Sequence, residues 1–171
     1  MTTLIKQRAI VTDTWQVIGA AGESDIVPLD GDIIVALERW IEQRETLSAR
    51  SGRVGVWLGP ADEPSRLVEA GPLPALIAVH FPAFTDGRGY STARLLRQRY
   101  GFTGELRAIG DILRDELFEL ARCGFDAFAL RADQDAQAAL LAFDDFSEVY
   151  QAAVDRGPLF ARRFGLVEQS R

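Results

Sequence analysis

The chain of 171 residues reads as a single α/β domain of about five βα units in a mainly parallel sheet, either an open sheet or an incomplete βα barrel. Three observations predict this. From residue 54 onward, short β-type runs ("VGVWL", "ALIAVHF", "ELRAI", "FDAFAL") alternate with helical patterns, as parallel βα units require. The runs start near residues 54, 76, 105 and 126, which leaves room for one crossover helix between each pair. The intervening segments repeat apolar residues at helical spacing between recognisable starts and stops.

The first unit falls in "DIIVALERWIEQRETLSARSG", where Leu37, Trp40, Ile41 and Leu47 share a helical face and Gly52 offers a stop. Ser91 is expected to cap a helix carrying Ala93, Leu96 and Tyr100 before Gly101. Asp111 is expected to cap one carrying Leu113, Leu117 and Leu120 before Gly124. Ala136, Ala139, Leu140 and Phe143 continue the helical spacing, and Asp145 with Glu148 resembles a capping box ahead of Phe146, Val149, Tyr150 and Ala153. The core thus spans residues 33–155, followed by a tail at 156–171. Residues 1–32 alternate weakly and predict one or two antiparallel strands at a sheet edge.

Composition narrows the function classes. A formal net charge of −6 argues against general nucleic-acid binding, which needs a basic face. The longest uncharged apolar stretch, "PLPALIAV", is far shorter than the ~20 residues that cross a bilayer. With no secretory signal visible, a cytoplasmic protein that does not engage a membrane is expected. One cysteine, Cys123, and one histidine, His80, exclude an internal disulfide, a cysteine-rich cluster and a multi-histidine metal site. No flavin, nicotinamide or haem cofactor is expected, because no loop or ligand set for one is legible. Gly87-x-Gly89 imitates a dinucleotide fingerprint, but Thr92 stands where the third glycine belongs.

The candidate site lies in "HFPAFTDGRGYSTARLLRQ", where an apolar strand gives way to a glycine-rich loop at its carboxyl end. Ligand sites of parallel sheets and βα barrels form there. Gly87 and Gly89 permit close backbone approach, Arg88 supplies a forked cation, and Tyr90 and Ser91 add hydroxyls. Residues 86–107 hold five arginines against two acids, so Arg94, Arg107 and, further on, Arg114 join the candidates for an anion such as phosphate or sulfate. Candidate catalytic groups are Asp86, Glu105, Asp111 and His80, the last being the chain's one ordinary proton shuttle near neutral pH. Each also has a purely structural reading: Asp-Gly makes turns, Asp111 can cap a helix, and a lone histidine can pack. In "ELRAI", Glu105, Arg107 and Ile109 share one sheet face, where they form an ion pair or line the polar interior of a partial barrel.

The motifs FP-x-F-x-DGRG-Y-S-x-A-R-L-L-R and G-E-L-R-A-x-G-D-x-L-R-D resemble a bacterial family of unknown function, DUF934, over roughly residues 30–155. Its members are described as oxidoreductases of sulfite reduction because of neighbouring sulfate-assimilation genes. The resemblance therefore implies an accessory role in sulfur assimilation beside a sirohaem sulfite reductase, which would be the partner. The residues themselves offer no redox group, which leaves two classes: an accessory binder of the reductase, or a small enzyme or anion-binding protein at the DGRG loop. An exposed sheet edge also makes a homodimer an expected arrangement.

Overall fold

The computed structural model describes residues 3–20, 22–146 and 152–156. Its centre is one open, curled sheet of eight strands in the order β2-β1-β8-β7-β6-β5-β4-β3. Six of them run parallel: β3 (Trp15–Val17), β4 (Asp32–Ala36), β5 (Val54–Leu58), β6 (Leu76–Phe81), β7 (Glu105–Gly110) and β8 (Ala127–Ala129). The alternation of runs thus yields a mixed α/β fold with a mainly parallel sheet. An antiparallel hairpin, β1 (Thr3–Lys6) and β2 (Ala9–Thr12), joins the outer side of β8 through β1. Its two-residue turn places Gln7 and Arg8 at φ 49° and 62°, the left-handed pair that matches strand twist.

The N-terminal segment divides between the two edges of the sheet. β2 is one edge, paired to β1, whereas β3 is the other and pairs parallel with β4 rather than antiparallel. This connectivity forces the curl. A flat eight-stranded sheet would hold its outer strands about 34 Å apart, seven spacings of ~4.8 Å. Yet only Asp13 and Thr14 link β2 to β3, and three Cα steps reach about 11 Å. Residues 9–17 therefore act as one ascending run whose first half pairs with β1 and whose second half pairs with β4. The register shows the stagger of a barrel: the row of paired residues that starts at Ala9 crosses Arg107 and Trp57 and ends at Ala36, two residues past the Ile34 that faces Val17.

Helices cover the outer face. Strand residues Val35, Val56, Val79 and Ala108 pack there against Leu67, Ala93, Leu96, Leu117 and Leu120. The helical layer comprises α1 (Leu37–Glu42), α2 (Arg44–Ser48), α3 (Pro64–Glu69), α4 (Arg88–Arg94) with a π-helical continuation at Leu95–Arg99, α5 (Leu117–Arg122) and α6 (Ala136–Leu140). The alternate strand residues Ile34, Leu76, Ala78 and Ile109 form a second cluster on the inner face, with Trp15, Val17, Trp57 and Ala129 against it.

Two helix starts differ from the sequence expectation. α4 begins at Arg88, with Gly87 in the cap position, so Ser91 lies within the helix and caps nothing. The segment after β7 bends at Gly110 and Asp111 and is not yet helical at Leu113, whose N–H is held by the Glu116 carboxylate at 3.0 Å before a 3₁₀ turn and α5. Asp111 is thus released from capping because its carboxylate reaches across to other loops. Asp135 caps α6 by accepting from the N–H groups of Gln137 and Ala138. The expected helix through Val149 and Tyr150 and the tail beyond Arg156 lie outside the described residues. No helix among the described residues is long and apolar enough to cross a membrane.

Candidate functional site

The curl brings the carboxyl ends of β6, β7 and β8 and the edge strand β3 around one opening. A cavity of about 730 Å³ lies there, walled by the inner-face residues Trp15, His80, Ile109 and Ala129 and rimmed by Asp111 and Arg131. Its volume is that of a small-molecule pocket, and its place is where parallel α/β architectures put ligands.

His80 enters this mouth because it stands two residues after Ala78 on β6 and so shares the inner face, opposite Ile109 on β7. The ring is half-buried and packs against Trp57 at 5.7 Å between centroids. Burial pushes the pKa of its imidazole below the ordinary histidine value. The ring makes no hydrogen bond among the described residues. A neutral imidazole facing the cavity offers one donor and one acceptor to whatever enters.

Three carboxyl-end loops meet at Asp111. Its Oδ2 accepts from the Phe84 N–H at 3.0 Å, and its Oδ1 accepts from Arg131 Nη1 at 2.8 Å. Arg131 also donates to both oxygens of Asp133, at 2.6 and 2.8 Å, and these bonds pull the Asp133 carboxyl down to about 2. The loops after β6, β7 and β8 are therefore cross-linked, and Gly110 serves the same close approach. Its φ is +99°, and a Cβ there would collide with the Phe81 carbonyl.

Deeper on the inner face lies a closed ion network. Arg107, with 2% of its side chain exposed, donates Nε to Glu105 at 2.8 Å and Nη1 to both oxygens of Asp13 at 2.9 and 3.0 Å. Lys6 completes it with a 2.6 Å bond to Glu105. Burial alone would raise the Glu105 pKa, but the bonds and charges of Lys6 and Arg107 outweigh it and hold the carboxyl below its usual range. Asp13 sits in the two-residue link between β2 and β3, so this network also ties the two edges of the sheet together.

With the geometry in place, comparison with known families is informative. Residues 55–160 match the model of a family of bacterial proteins of unknown function, DUF934, which is more than half of the chain. The chain belongs to the DUF934 family. A search of curated proteins finds no match. The DUF934 match takes in His80, Asp111 and Arg131 but leaves the Asp13–Val17 wall outside it.

The DUF934 loop that carries Asp-Gly-Arg-Gly turns away from the cavity. Arg88 is exposed, and its fork closes on Asp86 through Nε–Oδ1 and Nη2–Oδ2 bonds of 2.9 and 2.6 Å. The Arg88 side-chain bonds hold the Asp86 carboxyl below its usual pKa. Gly87 precedes the helix, and Gly89 is buried where a Cβ would strike the Phe81 ring, so its smallness serves packing. Tyr90 lies edge-on to Phe81 at 5.6 Å, and its hydroxyl donates to Glu116 at 3.2 Å. Burial raises the pKa of both Tyr90 and Glu116. Ser91 and Arg94 border a separate shallow depression on the outside of α4, and Arg114 pairs with Asp115 and Asp145.

Of the residues singled out in the sequence, the structure brings His80 and Asp111 to the mouth and Glu105 and Arg107 to the network beneath it. Among the described residues, the hydrogen bond between the loop after β6 and Asp111 comes from Phe84, ahead of the DGRG stretch. Sequence reasoning passed over Arg131, although it follows β8 much as Asp111 follows β7, and that carboxyl-end rule would have found it. Asp13 and Trp15 carried no local signal, because their place depends on pairing with the far edge. Among the described residues no three metal-ligating side chains converge.

Proposed function

We propose that the protein is a small-molecule-binding accessory of assimilatory sulfite reduction, acting beside a sirohaem sulfite reductase, with its ligand seated in the barrel mouth. The observation that carries the ligand site is the cavity at the strand carboxyl ends, with the imidazole of His80 facing it unbonded. The link to sulfite reduction rests on the DUF934 resemblance. Within this reading His80 exchanges a hydrogen bond with the ligand, while Asp111 and Arg131 keep the three surrounding loops in one arrangement. Neither acts as an electron carrier; the chain supports the reductase by delivering, sensing or holding a molecule.

A chromosomal His80→Ala substitution tests this. The variant should accumulate at the parental level yet slow growth on sulfate as sole sulfur source, with cysteine restoring it. Parental growth on sulfate would sink the reading. An affinity-tagged protein should retain the sulfite reductase haemoprotein from the same cells.

A further inference from the structure

Resting on the reading of the mouth as a ligand site, we propose that its ligand is an organic cation with an apolar body, and that sulfur oxyanions and phosphate are refused there. Among the described residues, every cation near the opening is already engaged by carboxylates. Arg131 is shared by Asp111 and Asp133, which leaves that trio with one excess negative charge. Arg107 and Lys6 are balanced by Asp13 and Glu105. Arg53 is clamped by Asp32 and lies over the Trp15 ring at 4.8 Å. Glu23 lines the mouth, is exposed, and makes no ion pair among the described residues. The rim thus carries about two uncompensated negative charges.

His80 does not offset them, since burial favours its neutral form. An entering anion would meet like charge and no unengaged donor of positive charge, whereas an ammonium or amidinium would meet Glu23 and the outer side of the Asp111–Arg131–Asp133 trio. Between these poles Trp15, Ile109, Ala129 and Leu130 offer apolar wall to a ring or short aliphatic body.

A set of ring probes of matched shape isolates the charge: benzamidine, benzamide and benzoate, followed on the indole resonance of Trp15 and the imidazole of His80 by NMR, with sulfite as a fourth probe. Benzamidine should bind best and benzoate worst, with about tenfold between them at low salt, narrowing as ionic strength rises. Glu23→Gln should reduce the benzamidine preference about threefold without moving the melting temperature, as expected for one exposed charge. If benzoate or sulfite binds as tightly as benzamidine, the charge assignment is overturned while the mouth remains a ligand site. If none of the four perturbs Trp15 or His80, the assignment and the ligand site both fall.

Discussion

The inner face of the curled sheet carries two polar regions one strand alternation apart, and they are built on opposite terms. In the deeper one, Arg107 opposite Ala78, every charge has its counter-charge, and Arg107, Asp13 and Glu105 are nearly covered while Lys6 reaches the surface. In the upper one, His80 opposite Ile109, the one titratable ring has no hydrogen bond and opens on a cavity. A closed buried network fixes geometry, since each member is held by the others, and has no capacity left for a ligand. An unbonded group at the open end keeps that capacity. Polar residues of similar type, two positions apart, divide into scaffold and site.

The largest effect should come from breaking the closed region. Arg107→Met leaves Asp13 and Glu105 without their shared cation in a site from which water is excluded, and loss of one partner of a buried pair costs about 3–5 kcal/mol. Urea unfolding of the variant should show that loss. A change within experimental error would mean that water enters the network, and that the two regions are not different in kind.

The sheet was legible to the extent that local runs dictated it. "VGVWL" and "ELRAI" begin where β5 and β7 begin, "ALIAVHF" begins one residue ahead of β6, and the alternation in "ELRAI" correctly sends Arg107 and Ile109 to one face. The pairing of β3 was not legible, because Trp15–Val17 is placed by strands on the far side of the sheet and by the reach of a two-residue link. Capping signals misled where the polar side chain had another partner. Asp111 bonds Phe84 and Arg131 instead of its own helix, and Gly87 rather than Ser91 opens α4. The arginines of the DGRG region suggested an anion site, yet their nearest acids were visible in the sequence: Asp86 is two residues from Arg88, and Asp115 is adjacent to Arg114.

A smaller, pH-dependent effect should come from the open region. Folding holds the His80 pKa below the value of about 6.5 expected in the unfolded chain. Between those two values the unfolded state binds a proton that the folded state declines. Stability present above about pH 6.5 is therefore lost as pH falls through the folded pKa, and below it this group adds no further slope. His80→Gln should flatten the fall in melting temperature between pH 7.5 and 5 relative to the parent. A parallel pair of curves would show that the ring is as well solvated as in the unfolded chain.

The smallest effect belongs to the DGRG loop. Arg88 and Asp86 close on each other at the surface, so Arg88→Ala should leave both the urea midpoint and benzamidine binding at the mouth unchanged. A loss of binding would extend the site outward over the loop and erase the boundary drawn here.

The seam formed by residues 9–17 also sets an order of events in time. Leu4 pairs with Val11 within the local hairpin and with Ala129 on its other side, so β1 waits for β8 before that second side has a partner. At ~5–20 residues per second, translating the intervening chain takes about 6–25 s. During that interval Leu4 and Ile5, both buried in the finished sheet, have the hairpin strand β2 beside them but not β8. The β1–β8 pairing is a late, long-range event of the kind that slows folding, and the curl of the sheet is complete only after β8 has emerged.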